Sequence, residues 1–433
     1  MKLTYVDIKF VLALVLMCSS LSLRSSFAES EEQKTLKLRD VIKEALEKNP
    51  LQKAAEYDAA SQKAMIGPSG SYEDPMLGFE AKNYPVDTWS SRKEGMTGNE
   101  VSISQKIPFP GKLSSLRRAA TFEYDSKREM FNQKRLDLIK NVKIAYYELF
   151  LAYKKQNILK EQRNVIRQLI VVARNKYTLG KIPQAELLNL QVEEAQIIDQ
   201  LLKAEREIQT KKSNLNYILG REGKGVVGIP EEPRATPIDF LKLKPELIAD
   251  KIQQKNHGLK AVQHELEASQ KKLTYAQLGY LPDFEFMAGY MFRNPSPDNT
   301  RGVDMASGKI GVSIPLWAFS KQSQEIKRAR AEKSKAEALF AEERNNVLRM
   351  TRTLYAELKE THKRLDLYKT GIVPLAKQAV ASGRSAYLAN TLEYISLLNL
   401  VRQRFDAEYA HNEALANYES KIAELESLTG EAM

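Results

Sequence analysis

The segment between Gly111 and Gly180 runs for 68 residues without a glycine or a proline. Its apolar side chains recur at three- and four-residue spacing, which is the pattern of an amphipathic helix. Examples are Leu136, Ile139, Val142, Ala145, Tyr146 and Leu149. At 1.5 Å per residue, one helix of this length would extend about 100 Å. A compact domain cannot hold such a helix, so the sequence predicts long helices packed against each other as in a coiled coil.

Glycine and proline then mark where the chain reverses. Gly180 and Pro183 interrupt the helical pattern, and a further stretch without either residue follows up to Gly220. This order predicts two antiparallel helices that meet at a tip near Gly180. A second pair of long helical stretches follows Pro315, with Asn390 at the position that matches Gly180. The chain is therefore expected to form two long helical hairpins.

The two halves of the chain are copies of one unit. The matching pairs are Asn49 with Asn256, Pro75 with Pro282 and Ile107-Pro108 with Ile314-Pro315, each offset by 207 residues, and Leu187–Leu190 with Leu397–Leu400, offset by 210. We expect a first repeat over residues 29–220 and a second over 246–433. A linker rich in glycine and proline, residues 221–245, joins them.

Each repeat also contains two candidate strands. In the first repeat a short amphipathic helix, Leu38–Lys48, and a helical stretch to about Ile66 precede them. The strands are then expected at 75–83 and 100–107, and in the second repeat at 284–292 and 310–314. One face of each strand carries apolar side chains, and the other carries small or polar side chains. This pattern fits a membrane barrel and equally a soluble sheet with one buried face.

The first 28 residues resemble a secretory signal peptide. Lys2 and Lys9 precede the apolar run Phe10–Met17, and Ser26-Phe27-Ala28 has the small-x-small form of a cleavage site. We expect export and cleavage after Ala28. The only cysteine, Cys18, lies inside this segment, so the mature chain has no thiol chemistry unless Cys18 is itself a lipid acceptor. Beyond residue 28, no stretch has the 18 or so apolar residues of a membrane helix.

Several functional classes find no support in the sequence. The formal net charge of +11 is spread along helical patterns, without a nucleic-acid-binding motif. The chain lacks the GxSxG and HExxH motifs and a glycine-rich dinucleotide loop. Its histidines, His257, His264, His362 and His411, have no i, i+4 pair that would chelate a metal. We therefore expect no enzyme activity, no cofactor, no resident metal and no nucleic-acid partner.

The strand number points to an oligomer. Four strands cannot close into a barrel, and their edges would remain exposed. Several protomers that each give four strands to a shared wall would remove those edges. The long hairpins would then extend the barrel as a tube, so the shape predicts a duct with strands in the membrane and helices across the periplasm.

The chain resembles the TolC-like outer-membrane efflux family over nearly its whole mature length. The segments that carry the resemblance are Leu38–Pro50, Ser104–Lys112, Lys176–Gly180 with Leu187–Asn189, Asn216–Gly220 and Gly311–Leu316. The segment Pro108–Lys112 resembles the metal-efflux branch of CusC- and CzcC-like proteins most. The resemblance implies a homotrimer with a 12-stranded transmembrane barrel in outer-membrane lipid and an α-helical tunnel. It also implies docking on a periplasmic adaptor (membrane fusion) protein and an inner-membrane transporter of the RND or ABC type.

The resemblance also implies two sets of site residues. The adaptor-docking residues at the hairpin tips would be Tyr177, Leu179, Gly180, Lys181, Tyr387, Leu388, Asn390 and Thr391. The residues of the closed aperture would be Glu186, Glu393, Ser396 and Asn399. The sequence departs from the family pattern here, because Ser396 and Asn399 stand where the type member has aspartates. Leu392 stands where it has a basic residue, and Glu393 is the nearest source of negative charge.

The expected function is that of a passive exit duct in the outer membrane for substrates such as metal cations or drugs. Two alternatives remain open from the sequence. One is the exit duct of a type I protein secretion system, which has the same architecture. The other is a soluble periplasmic coiled-coil scaffold, in which the alternating segments would form a soluble sheet.

Overall fold

A computed structural model describes residues 35–221, 228–240, 245–294 and 303–430. The expected signal peptide, with Cys18, lies outside the described residues, as does part of the expected linker. No helix in these four ranges is long and apolar enough to span a membrane.

The described chain is mainly helical with a small sheet, as predicted. The helices of the first half are α1 (Leu38–Lys48), α2 (Pro50–Ser69), α3 (Lys112–Thr178) and α4 (Gln184–Ile218). Those of the second half are α5 (Pro245–Lys255), α6 (His257–Leu278), α7 (Gln322–Leu367), α8 (Val373–Leu388) and α9 (Tyr394–Thr429). The stretch between Gly111 and Gly180 forms the single helix α3, which has 67 residues.

The strands form two sheets. A short parallel pair joins β1 (Thr35–Leu36) to β4 (Ile229–Pro230). The larger sheet contains β2 (Met76–Lys82), β3 (Gly98–Ile107), β5 (Phe284–Arg293) and β6 (Met305–Val312). Its order is β2-β3-β5-β6, antiparallel throughout, so the central pair joins the two repeats. The four predicted strands are confirmed, except that β6 begins earlier than expected and ends before Ile314.

The larger sheet has two chemically different faces. Leu77, Ile103 and Ala288 lie directly opposite one another across three strands and share the apolar face. On this face Leu77 is 75% exposed and Phe79 is 74% exposed. On the other face Glu100 accepts hydrogen bonds from Lys82 and from Ser307. A single chain therefore leaves the apolar face uncovered.

Two asparagines join helices end to end. The Asn49 side chain caps the start of α2 by accepting from the amides of Leu51 and Gln52, at 2.9 and 3.1 Å. The same side chain donates to the carbonyl of Ile218, at the end of α4, at 2.8 Å. Asn256 does the same between α6 and α9, accepting from the Leu259 amide and donating to the Leu428 carbonyl. In the first repeat, α4 and α2 are therefore stacked end to end and run alongside α3. In the second repeat, α9 and α6 are stacked in the same way and run alongside α7.

These junctions leave little room at the helix ends. Gly220 has a φ of +69°, and a Cβ atom there would lie 2.9 Å from the Lys48 carbonyl oxygen. Next to it, the Arg221 guanidinium binds both carboxylate oxygens of Glu44, at 2.9 and 2.6 Å. This pairing lowers the pKa of Glu44 to about 2. The first turn after α4 is thereby fixed to α1.

The second hairpin contains one irregular turn. Residues Tyr368–Ile372 form a π-helix between α7 and α8. Pro374 follows this turn, and proline has no amide hydrogen to donate to a carbonyl of the preceding turn. The wider π turn lets the helix continue although this hydrogen bond is missing. The equivalent part of α3, around Glu161, is regular helix.

The core follows the lines where the hairpins pack together. Val142 and Leu149 of α3 are fully buried, in a cluster that also includes Val41 of α1 and Leu215 of α4. Closer to the tips, a second cluster joins both hairpins and includes Ile166, Leu190, Leu397 and Phe405. Burying each such side chain contributes roughly 1.5–3 kcal/mol. The predicted apolar stripe of α3 is confirmed as core at Val142, Ala145, Tyr146 and Leu149, whereas Leu136 and Ile139 are only half-buried.

Candidate functional site at the hairpin tips

At the tip of the first hairpin, helix α3 ends just before a glycine, Gly180. Gly180 has a φ of +66°, in the left-handed region that favours glycine. Its amide donates to the Tyr177 carbonyl, and the Lys181 amide donates to the Lys176 carbonyl, both at 2.9 Å. This pair of bonds is the Schellman motif, which satisfies the last carbonyls of α3.

The second tip has the same backbone with a different residue. Asn390 has a φ of +59°, and its amide donates to the Tyr387 carbonyl at 3.2 Å. The Thr391 amide donates to the Ala386 carbonyl at 2.9 Å. Asparagine tolerates the left-handed conformation better than other residues with a side chain. The predicted match between Gly180 and Asn390 is confirmed at the level of the backbone.

Tyr387 ties the two tips together. It is only 4% exposed, and its hydroxyl donates to Glu186 Oε1 at 2.7 Å. The Lys176 ammonium lies 3.8 Å from the centre of its ring and donates to its carbonyl at 2.7 Å. Lys176 also donates to Asn390 Oδ1 at 2.8 Å. We call these contacts among Lys176, Glu186, Tyr387 and Asn390 the tip clasp.

The electrostatics of the tip clasp are those of a buried polar site. Burial, followed by the Glu186 carboxylate, raises the pKa of Tyr387 well above its ordinary value, so the hydroxyl keeps its proton. Glu186 is 8% exposed, so water has little access to its carboxylate. The Tyr387 hydroxyl supplies the hydrogen bond that water would otherwise provide. A hydrogen bond to a charged group contributes about 1.5–3 kcal/mol.

Further contacts hold the hairpins together above the tip clasp. Asn189 Nδ2 donates to the Tyr394 hydroxyl at 2.8 Å. Arg402 of α9 donates through Nε to Glu193 of α4 at 3.0 Å, and its second nitrogen binds the other carboxylate oxygen. The polar contacts between α4 and the second hairpin thus continue for at least two turns beyond Glu186.

The predicted docking residues differ in how far their side chains are exposed to solvent. Tyr177, Leu179, Gly180 and Lys181 are exposed at the first tip, and Tyr177 is 41% exposed. Leu388, Asn390 and Thr391 are exposed at the second tip, whereas Tyr387 is buried in the tip clasp. The structure therefore brings Tyr387 together with Glu186, which the family resemblance predicts at the aperture.

The other three residues predicted at the aperture lie at the start of α9. Glu393 is exposed and precedes the first residue of that helix, Ser396 is half-buried, and Asn399 is exposed one turn further on. None of the three takes part in the tip clasp. The sequence reasoning missed Lys176 as a contact residue, because nothing in its spacing indicates that it reaches across to Tyr387.

Within the described ranges, no group of three or more His, Cys, Asp or Glu side chains is placed to hold a metal ion. The contacts at the tips are hydrogen bonds, a cation–π contact and apolar packing, and the ion pair of Arg402 with Glu193 lies above them. Such contacts hold helices together and can be exchanged for contacts with another protein.

The described chain combines long paired helical hairpins with a small sheet whose apolar face is uncovered. Residues 41–221 and 248–431 match the family model of outer membrane efflux proteins. The chain therefore belongs to the outer membrane efflux protein family. That family consists of efflux channels rather than enzymes, and membership supports a location in the outer membrane.

Individual relatives agree with this assignment. The outer membrane protein TolC of Vibrio cholerae is 21% identical over 403 residues, which cover 91% of this chain and 90% of that protein. The crystal structure of CusC matches with a TM-score of 0.77 at 15% identity, covering 91% of this chain and 92% of CusC. VceC of Vibrio cholerae matches with a TM-score of 0.75 at 17% identity, covering 91% and 96%. At these identities the structures show a shared fold.

Proposed function

We propose that this chain is one protomer of a homotrimeric outer-membrane channel that serves as the exit duct of a tripartite efflux system. Each protomer gives four strands to a 12-stranded barrel in outer-membrane lipid, and the hairpins form a periplasmic tunnel. A periplasmic adaptor docks at the hairpin tips, and an inner-membrane transporter of the RND or ABC type supplies the cargo. The duct passively conducts metal cations or drugs.

One observation carries the proposal. The larger sheet leaves its apolar face exposed, and among the described residues no strand pairs with the outer edge of β2 or β6. Unpaired edges and an uncovered apolar face are costly in water. Identical neighbours would pair the edges, and lipid would cover the face. A soluble scaffold would instead have to cover the same face with protein.

A pair of adjacent substitutions tests where the apolar face lies. Ile103 and Ser104 follow each other on β3 and point to opposite faces of the sheet. Lysine on a lipid-facing position costs about 2–4 kcal/mol near the bilayer midplane. We therefore expect Ile103→Lys to reduce the amount of trimer assembled in the outer membrane severalfold, and Ser104→Lys to have little effect.

The measurement is the trimer recovered from outer membranes in detergent, with its threefold shape seen in particle images and its conductance in planar bilayers. Equal recovery of the two variants, or recovery of wild type as a monomer in the periplasmic supernatant, would refute the channel. The type I secretion alternative predicts the same trimer, and an ABC exporter as the transporter that copurifies with it.

The tip clasp is proposed as part of the closed aperture. Its geometry supports this role, because Tyr387 of the second hairpin is bound to Lys176 and Glu186 of the first. Releasing these contacts would let the second hairpin move away from the first. Glu186, Glu393, Ser396 and Asn399 are proposed to face the aperture, and the exposed tip residues are proposed to meet the adaptor.

A further inference from the structure

A buried lysine joins the first repeat to the second where β3 leads into α3. Lys112, the first residue of α3, donates to Asp283 Oδ1 at 2.7 Å and to the Leu281 carbonyl at 2.9 Å. The Phe109 amide donates to the same carboxylate oxygen at 2.7 Å. Hydrogen bonds between charged groups are the strong ones, so this contact fixes the position of one repeat against the next. We call the ion pair of Lys112 with Asp283 the junction clamp.

The first repeat contains an equivalent of Asp283. Gly70 ends α2 and Gly279 ends α6, and an aspartate follows each glycine by four residues, at Asp74 and Asp283. Because α6 has 22 residues and α2 has 20, this match lies two residues beyond the sequence offset of 207. Asp74 is exposed and, among the described residues, has no ion pair. It therefore lacks the partner that its equivalent has.

The second repeat contains an equivalent of Lys112. Lys112 lies 65 residues before Tyr177, and Lys321 lies 66 residues before Tyr387, the match of Tyr177 at the second tip. A π turn holds one residue more than an α turn, so the π-helix between α7 and α8 accounts for the difference. Lys321 directly precedes α7, is exposed and has no ion pair within the described ranges. Both parts of a second clamp are thus present in the chain.

We propose that Lys321 binds Asp74 of a second copy of this chain, and so forms between chains the clamp that Lys112 forms within one. The inference rests on the proposed function, in which β6 of one protomer pairs with β2 of the next, and it specifies the contacts of that seam. Lys321 follows β6 and Asp74 precedes β2. Antiparallel pairing of these two edges therefore brings the lysine and the aspartate to the same end of the seam.

The strand pairing shows which strand residues of the two repeats are equivalent. Leu77 pairs with Ile103 in the first repeat, and Phe286 pairs with Ile310 in the second. Ile310 matches Ile103 at the offset of 207, so Phe286 is the equivalent of Leu77. This match agrees with the one given by the ends of α2 and α6.

The register of the seam follows from these equivalent residues. Within the chain, Ser102 of β3 lies opposite Gly289 of β5. Their equivalents, Lys309 of β6 and Glu80 of β2, would face each other across the seam on the polar face of the sheet. In the single chain Lys309 is exposed, and Glu80 lies 3.6 Å from Lys82. Opposite charges across a strand pair stabilise it, whereas a slip of two residues would put Lys309 opposite Lys82.

Paired cysteines test the register. The only native cysteine, Cys18, lies in the expected signal peptide, so the mature chain is expected to contain no other thiol. Residues directly opposite on antiparallel strands have Cα atoms about 4.5–5.5 Å apart, which suits a disulfide. We expect Lys309→Cys combined with Glu80→Cys to give covalent dimers and trimers on a denaturing gel after oxidation. Lys309→Cys combined with Lys82→Cys is the matched control and should give few.

Charge reversal tests the second clamp itself. Lys321→Asp puts like charges together at all three seams, so we expect about tenfold less intact trimer after mild heating in detergent, measured by non-denaturing electrophoresis. Asp74→Lys in the same chain restores opposite charges at every seam and should restore the wild-type amount. Lys43→Asp is the matched control, because Lys43 is exposed on α1 and, in the part of the chain described, has no ion pair. This control should behave as wild type does.

Four results would overturn the inference. They are cross-linking through position 82 rather than position 80, no covalent product from either cysteine pair in a chain that still forms trimers, an undiminished trimer with Lys321→Asp, and no recovery in the double reversal. Each of these results leaves the channel itself intact. A wild-type chain recovered only as a monomer would instead refute the proposed function, on which the seam depends.

Discussion

Tyr387 has a different role from its counterpart in the first repeat. Tyr177 occupies the equivalent position in α3 and is exposed, whereas Tyr387 is buried between the hairpins. Tyr387 meets the carboxylate of Glu186. The repeat counterpart of Glu186 is Ser396, which has no carboxylate. The two copies therefore differ at the residue that accepts the tyrosine's hydrogen bond.

Removing the Tyr387 hydroxyl should loosen the tips. Tyr387→Phe deletes one hydrogen bond to a carboxylate, worth about 1.5–3 kcal/mol, and leaves Glu186 without that donor. We expect the open probability of single channels to rise about tenfold or more. Tyr177→Phe removes the same atom from the exposed counterpart and is expected to leave gating unchanged. Planar-bilayer recordings give both values, and a similar rise in the two variants would argue against the tip clasp.

At the residue scale, the sequence indicated only part of the tip clasp. Glu186 was expected at the aperture through the family resemblance, and Asn390 was expected at the tip through the repeat. The contact of Glu186 with Tyr387 joins residues 201 positions apart. Helical spacing predicts neighbours three or four residues away and cannot predict such a contact. The family resemblance places Tyr387 with the docking residues, and the structure adds that its side chain is buried in the tip clasp.

At the scale of the element, the stacked helices depend on the two-sided asparagine caps. Asn49→Ser should keep the cap on α2, because serine accepts the same amide bonds, but it cannot reach the Ile218 carbonyl. We expect it to cost about 0.5–1.5 kcal/mol, the net value of one hydrogen bond. Asn49→Ala loses both functions and should cost about 1 kcal/mol more.

Thermal unfolding of the solubilised protein, followed by circular dichroism, tests this order. Wild type should melt highest, Asn49→Ser next and Asn49→Ala lowest, and the same series at Asn256 should repeat it. If Asn49→Ser melts together with wild type, the bond to Ile218 contributes nothing and the junction is held by packing alone.

Most elements could be predicted from the sequence, and the exceptions have physical reasons. The absence of glycine and proline located α3, and alternation located the strands. Proline usually ends a helix, yet the second hairpin continues through Pro374 by widening into a π turn. The sequence does not predict the early start of β6 at Met305, because Gly308 gives no apolar side chain to the face that Ile310 shares. Pairing with β5 holds these residues in the sheet.

At the scale of the whole molecule, charge at the aperture should affect selectivity. Glu393 is exposed at the start of α9, and three protomers would place three such carboxylates around one opening. Rings of carboxylates favour cations in channels. We expect Glu393→Gln to reduce the cation selectivity of single channels, measured as a shift of the reversal potential in a salt gradient. An unchanged reversal potential would remove Glu393 from the selectivity filter.

The sequence could not decide what covers the sheet. Alternation of Leu77, Phe79 and Ala81 with polar neighbours predicts one apolar face, but it does not say whether lipid or protein covers that face. The structure adds the strand order, which puts β3 and β5 in the centre and leaves β2 and β6 at the edges. Long-range pairing of this kind depends on the whole fold and has no local signature in the sequence.

The two open edges also have a consequence for inheritance. Every seam between protomers would join the β6 edge of one chain to the β2 edge of the next, so one substitution at either edge would recur three times around the ring. In a cell that makes mutant and normal chains in equal amounts, random assembly would leave only about one ring in eight free of mutant chains. Edge mutations in this protein should therefore behave as dominant, whereas mutations confined to a loop should behave as recessive.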